Sequence, residues 1–405
     1  MKDVFPILSC QNLSVGYGST RILEGLNLKF YPGEFVSLLG PNGVGKTTLL
    51  RTLARLQRAL EGRIFLKEMA LAKMPSAKLA RIMSVVLSVK HVPPLFQVHE
   101  FVAMGRYPYT VWTGRLTQDD DRAVADSLEM VGAQDLTFRD IDTLSDGEKQ
   151  KIFIARALAQ APEVMLLDEP TAHLDLKHRM DIMTILQRLC REKGITVVAS
   201  LHDLAVAARV SDRVALVRDR HIQAFGPPED VLDQDTVADL YEFGRAAFNP
   251  MLGNIEIQGR GDAARVFVVG GMASAATFYR LLAKRGYDLV TGILMANDID
   301  TAVAKSLGAF CLIQEDPMAL SQALREHAMA ALDTCDLVVD TGFSVCDLNR
   351  FNLDLLDYAL AQGKPVFALD RGQKRPIYKL NPDTVYMADR ETRLAALMDR
   401  RQGIV

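Results

Sequence analysis

Apolar and polar residues alternate along residues 7–17 and again along 22–30, the period expected of strands with one buried face. Residues 34–40, EFVSLLG, are apolar nearly throughout, and a short apolar run closed by glycine predicts a strand covered on both sides. It leads straight into GPNGVGKTTLLRTLARL, so a strand, a glycine-rich loop and a helix are expected in that order. From about residue 75 to residue 160 the pattern is mainly helical. TQDDDRAVADSLEMVG opens on a Thr117 cap with Asp119, Asp120 and Asp121 in its first turn, where acids offset the helix dipole and no chemistry is assigned to them. Strands return at EVMLLDEP and ITVVASLHDL, with a helix around LKHRMDIMTILQRLCREKG between them; this β-α-β order predicts a parallel sheet.

The pattern then restarts. RVFVVGG, DLVTGIL, AFCLIQ, DLVVDTG, PVFALD and TVYMA alternate with helical segments rich in Ala and Leu, predicting a second α/β domain, with the chain divided as 1–255 and 256–405. The second half has no glycine-lysine loop, so the halves are not repeats. At 405 residues the chain is too long for one ordinary core, and 49% hydrophobic with 24% charged residues places it among soluble globular proteins. Lys plus Arg at 47 against Asp plus Glu at 50 leaves no broad basic footprint, which argues against nucleic acid as a partner. Five scattered cysteines without a C-x-x-C pair indicate neither a disulfide framework nor zinc, and fit a reducing compartment. No apolar run reaches the ~18 residues of a spanning helix, and the start MKDVFPILSC lacks the apolar region of a signal peptide. The expected location is cytoplasmic.

The chemistry concentrates in four places. Gly40, Gly43, Gly45, Lys46 and Thr47 fit G-x-x-x-x-G-K-[ST], with Asn42 and Thr48 beside them; glycines let backbone wrap phosphates, Lys46 reaches the β and γ oxygens, and Thr47 offers a hydroxyl to Mg²⁺. VMLLDEP places Asp168 at the carboxyl end of a buried strand, where it serves the metal, and Glu169 where a general base would polarise water. His202, in SLHDL, follows another apolar strand and should emerge at the same sheet edge. Finally, LSDGEKQKIFIARALAQ begins a helix at Ser145 and Gly147, residues read as leaving its first N–H groups bare, and a bare helix start attracts an anion.

The loop at 40–47, LSDGE at 144–148, LLDEP, HLD at 173–175 and HD at 202–203 together resemble the ATP-binding subunits of ABC transporters, over roughly residues 5 to 245. The resemblance implies a RecA-like core with a helical subdomain and an antiparallel β-subdomain, followed here by a Rossmann-like α/β domain. It implies ATP and Mg²⁺ as cofactors, Tyr17 stacking on adenine, and His202 contacting the γ-phosphate. Two copies would sandwich two nucleotides, with Ser145 and Gly147 of one facing the phosphate held by Lys46 of the other and Asp175 along the interface. Asp146 and Glu148 replace the usual glycine and glutamine, which brings extra negative charge toward the nucleotide. The glutamine expected where RIMSVVLS ends falls on Ser88, with Gln97 further along.

The interval between Lys46 and Ser145 is too short for the coiled-coil insertion of DNA-repair relatives, and a single ATPase unit sets the chain apart from translation-factor relatives. VHEFVAMGRYPYTVWTGRLTQDD resembles the segment of importer ATPases that serve iron-siderophore, haem and cobalamin permeases; Tyr107, Tyr109 and Trp112 either receive a permease helix or fill the helical lobe. The implied partners are a second copy, transmembrane permease subunits and, indirectly, a substrate-binding protein, which would hold the chain on the inner membrane face. The tail resembles C-terminal extensions of cobalamin-type importer ATPases. Its two glycines at a strand-to-helix turn and Asp298, Asp300 and Asp340 near strand ends leave a regulatory ligand site and a dimer-stabilising module both open. A soluble ATP-dependent regulator, or a corrinoid-metabolism fusion without a permease, are the alternative functions.

Overall fold

The computed structural model describes residues 5–87, 96–110, 115–316, 320–372, 375, 378 and 383–402. They form two compact units, Met1–Leu232 and Asp233–Val405.

In the first unit the alternating segments become strands Leu8–Tyr17 and Thr20–Phe30, which join Glu61–Leu66 and Met69–Ala70 in an antiparallel sheet. The unbroken apolar runs become Phe35–Leu39, Val164–Asp168 and Thr196–Ser200, every residue of them buried. A strand covered on both faces has no polar face to show, which is why these segments carry no alternation. They lie in a six-stranded sheet ordered His221–Gly226, Arg213–Arg218, Phe35–Leu39, Thr196–Ser200, Val164–Asp168, Met83–Val86, parallel but for the first strand. Leu38 and Asp168 both register with Ser200, so the carboxyl ends of three central strands finish side by side. Helix Lys46–Leu53 packs Leu49, Leu50 and Leu53 into the core shared with Val36, Leu38, Leu8 and Val15.

The helical lobe contains Val98–Ala103, Gln118–Met130 and Asp146–Ala159. Phe101 and Phe153 meet edge to face at 5.3 Å, and the Arg156 guanidinium lies 4.8 Å from the Phe101 centroid. The acidic triplet does more than offset a dipole. Asp120 closes a capping box with Thr117 and, 3% exposed, pairs with Arg106 Nε at 2.8 Å. Arg106 also donates to the carbonyl of Ala159 at 2.8 Å, so one ion pair ties the end of helix Asp146–Ala159 to the start of helix Gln118–Met130.

The second unit begins with helix Gln234–Tyr241 and the hairpin Ala246–Asn249 and Asn254–Ile257. The boundary expected at 255/256 falls inside this hairpin. Its membership is fixed by long-range contacts: Asn249 Nδ2 donates to the carbonyl of Ala302, and Arg280 grips the buried Glu256 with both Nε contacts at 3.0 Å. Here the polar residue of the alternation faces in and Ile255 and Ile257 face out, so the pattern does not announce which body it joins. All six predicted strands form one parallel sheet, ordered Phe310–Gln314, Asp288–Met295, Arg265–Val269, Leu337–Asp340, Val366–Leu369, Val385–Ala388. Numbered along the chain this order is 3-2-1-4-5-6, a doubly wound Rossmann-type sheet. Val266 and Val268 pack into one core layer and Phe267 and Val269 into the other, as a sheet covered on both faces requires.

The Thr117 backbone N–H and then Arg106 hold the Asp120 carboxyl down at about 2. A carboxyl depressed on folding stabilises above its unfolded value, and that share is lost as pH falls from about 4 toward the folded value. Asp120→Ala strands a buried guanidinium; it should cost about 3 kcal/mol at neutral pH and remove this acid-dependent share, both read by urea unfolding as a function of pH.

Candidate functional site

The glycine-rich loop follows strand Phe35–Leu39 and has little room. A Cβ on Gly40 would lie 2.3 Å from the carbonyl oxygen of Val217, and one on Gly45, whose φ is 110°, would lie 2.5 Å from Ile22 Cγ2. Gly45 is the N-cap of helix Lys46–Leu53 and supplies no side chain to cap it. This uncapped helix start is therefore one that favours an anion. Asn42 and Gly43 are exposed at the top of the loop, and Thr48 is buried below it. Lys46 is 5% exposed, and its Nζ donates to the carbonyls of Gly40 at 2.6 Å and Pro41 at 2.9 Å. Burial lowers its pKa, while the carboxylates of Glu169 and Asp168 act in the opposite direction.

Along the sheet edge the side chains form one connected network. Thr47 Oγ1 donates to Asp168 Oδ1 at 2.9 Å, and Ser200 Oγ donates to the same oxygen at 2.9 Å. The Glu169 backbone N–H donates to Ser200 Oγ at 2.8 Å, and Glu169 Oε1 lies 2.7 Å from His202 Nε2. Glu169 has φ of 50°, a left-handed conformation that non-glycine residues rarely adopt without support, and the Ser200 contact supplies it. Ser200 is fully buried and was not singled out from the sequence. At the end of an apolar strand it looks like another core residue, and only its register opposite Asp168 gives it a partner. Thr47 and Asp168 thus present hard oxygen donors side by side, the ligand type Mg²⁺ takes. Tyr17, at the end of its strand, is 52% exposed, with a ring face available for stacking.

The helix at Ser145 corrects an expectation: its start is not bare. Ser145 Oγ accepts from the Glu148 N–H at 3.3 Å, and Glu148 Oε2 accepts from the Ser145 N–H and hydroxyl, both at 2.8 Å, which is a capping box. The backbone N–H of Ser145 holds the Glu148 carboxyl below its usual range, and Arg139 lies 3.7 Å away. The charge of Glu148 is therefore taken up by its own helix. Gly147 lies against the His178 ring, which is hydrogen-bonded to Asp175. Asp175 caps helix Leu176–Lys193 and accepts from the backbone N–H of His178 at 2.8 Å. Gln97 is likewise committed, to a capping box with Glu100 at the start of Val98–Ala103. Tyr107 is 80% exposed, while Tyr109 is packed between Arg81 and Arg106 and donates to the Gln160 carbonyl. Ser88 and Trp112 lie outside the described residues.

In the second unit the two glycines open the expected strand-to-helix turn, but its N–H groups already have anions. Asp298 accepts from Met272 and Ala273, and Asp300, fully buried, accepts from Ala275 and from Ala276 at 2.7 Å. Burial raises the Asp300 pKa. Asp340 is forked by Arg375 and accepts from Tyr378. All three acids are structural partners within their own unit.

A glycine-lysine loop at the carboxyl edge of a parallel sheet, with acidic strand ends beside it, defines a phosphate-loop ATPase. The sequence matches the ABC transporter family over residues 23–172 and the MJ0874 family over residues 289–402. It is 38% identical over 289 residues to an uncharacterized ABC transporter ATP-binding protein, MJ0873, of Methanocaldococcus jannaschii, covering 71% of this chain and all of that one. It is 34% identical over 313 residues to the cobalamin import ATP-binding protein BtuD of Halobacterium salinarum, covering 75% and 78%. It is 36% identical over 231 residues to the ferric enterobactin transport ATP-binding protein FepC of Escherichia coli, covering 57% and 85%. Among solved structures, cbiO1 of Clostridium perfringens, part of the ABC transporter complex cbiONQ, superposes with a TM-score of 0.51 at 27% identity, over 58% of this chain and 94% of that one. The chain belongs to the ATP-binding subunits of ABC transporters. No helix among the described residues is long and apolar enough to cross a membrane.

Ser200→Ala removes one hydrogen bond to Asp168 and the support of the Glu169 backbone. Together they are worth about 2 kcal/mol, so ATP turnover should fall roughly thirtyfold with the KM for ATP little changed, as steady-state kinetics would register.

Proposed function

We propose that MgATP binds on the loop Gly40–Thr48 and is hydrolysed between two copies of the chain, energising uptake of a corrinoid or iron chelate through a separate membrane permease. The observation that carries this reading is the hydrogen-bonded edge linking Thr47, Asp168, Ser200, Glu169 and His202. In it the N–H groups of the loop and the uncapped start of helix Lys46–Leu53 hold the phosphates, and Lys46 exchanges two carbonyl partners for phosphate oxygens. Tyr17 stacks on the adenine, and Asn42 and Gly43 flank the phosphates. Thr47 and Asp168 would hold Mg²⁺, which would supply charge neutralisation to the phosphates. Glu169 accepts a proton from the attacking water, and His202, which orients that carboxylate at 2.7 Å, turns to the γ-phosphate.

Ser145, Gly147 and Asp175 act in trans. One chain has one phosphate loop and one LSDGE turn, and the two lie in separate side-chain neighbourhoods, so a complete site takes its second half from another copy. A groove of about 460 Å³ beside the helical lobe, lined by Leu56, Leu79, Val86, Phe153 and Arg156, suits an amphipathic helix of the permease, with the exposed Tyr107 available nearby in the same lobe. Docking there would hold the protein on the inner face of the membrane, and a substrate-binding protein would deliver cargo to the opposite side. The alignment with the cobalamin import relative spans 313 residues and runs well past the first unit, whereas those with iron-chelate import relatives span 231 to 247. This favours the corrinoid.

Glu169→Gln keeps the shape of the side chain and removes its basicity. The variant should bind ATP, lose turnover by at least about a hundredfold, and elute as a dimer in size-exclusion chromatography with ATP and Mg²⁺ but as a monomer without them. Unaltered turnover would refute the assignment of Glu169.

A further inference from the structure

Helices Asp146–Ala159 and Leu176–Lys193 begin beside one another, and two contacts one turn apart hold them together. At the first, the His178 ring lies against Gly147 so closely that a Cβ there would come within 2.3 Å of Cδ2 and 2.4 Å of Cγ. At the second, Lys151 Nζ is 3.7 Å from Asp181 Oδ2. Residues 147 and 151 are four apart and 178 and 181 three apart, so both contacts fall along one face of each helix and fix direction as well as proximity. The ring is not free to swing away. Its Nδ1 shares a 2.8 Å hydrogen bond with Asp175 Oδ1, the same oxygen that caps the helix through the His178 N–H.

We propose that His178 is a positioning residue that locks the Ser145–Gly147 turn to the Asp175 turn, so that both meet the partner copy's nucleotide as one rigid piece. The inference builds on the shared-nucleotide reading above and adds to it a reason for glycine at 147. The capping box uses the N–H groups of Ser145 and Glu148, leaving those of Asp146 and Gly147 for the partner's triphosphate. Their aim is set by how closely the turn seats on the ring. Without the ring the two turns move separately, and closure must order them again.

The test uses the full chain in the Glu169→Gln background with ATP and Mg²⁺, followed by analytical ultracentrifugation, with a fluorescent ATP analogue reporting affinity at monomer concentrations. His178→Ala should raise the dimer dissociation constant roughly tenfold and leave analogue affinity within about twofold, a split that general loss of structure would not produce. Gly147→Ala should weaken the dimer severely, and Gly147→Ala combined with His178→Ala should recover part of that loss, because the ring its Cβ strikes is gone. A dimer constant unmoved by His178→Ala, or a double variant no better than Gly147→Ala alone, overturns the role of His178 while leaving the shared site standing. Failure of the Glu169→Gln chain itself to dimerise with ATP overturns the shared site and this inference together.

Discussion

The carboxylate of Asp168 is held between two hydroxyls, Thr47 from the phosphate loop and Ser200 from the neighbouring strand, and the geometry of the proposed nucleotide site follows from that placement. It is possible only because Val164–Asp168 and Thr196–Ser200 run parallel in a register that ends both at one level, beside the strand that feeds the loop. Parallel strands buried on both faces cannot slip without breaking two apolar layers at once. The sheet edge that carries these side chains is thus as rigid as the core beneath it. Ser200 extends that rigidity one residue further, to a Glu169 backbone in a conformation that needs outside support.

The protein has two helix starts related to nucleotide chemistry, and they are built in opposite ways. Lys46–Leu53 begins at a glycine with no capping side chain, so its dipole and N–H groups are offered to an anion in the same chain. Asp146–Ala159 begins in a closed capping box, which stabilises the helix alone and absorbs the charge of Glu148. A box of this kind leaves the start of this helix satisfied within a single subunit. The ion pair of Arg106 with Asp120 fixes the far end of the same helix, and the His178 contact fixes its near end, so the helical lobe presents this turn from a braced element.

The second unit repeats the architecture of a nucleotide-binding sheet while satisfying its own turn. Its strand order places a glycine loop at the switch point where such folds take ligands. Yet Asp298 and Asp300 occupy the N–H groups that a phosphate would need, and Asp340 is neutralised by Arg375. Fold alone would assign it a dinucleotide, and the side chains oppose that assignment.

The order of elements and the phosphate-loop residues were legible because they depend on local chemistry. A glycine at a positive φ, a lysine after it and an apolar run before it are constraints between neighbours, and all six strands of the second unit were likewise visible as short apolar runs. The partners of those residues were not legible. Ser200 meets Asp168 across 32 positions, His178 meets Gly147 across 31, and Asn249 meets Ala302 across 53. Even the short box of Ser145 with Glu148 was read as open, because a carboxylate three residues on serves either its own helix or a neighbour, and only the folded backbone decides. Local sequence determined which groups this protein has for handling phosphate. Sheet register and helix packing decided which of them stand together, since those pairings are set by burying apolar faces far from the residues they align.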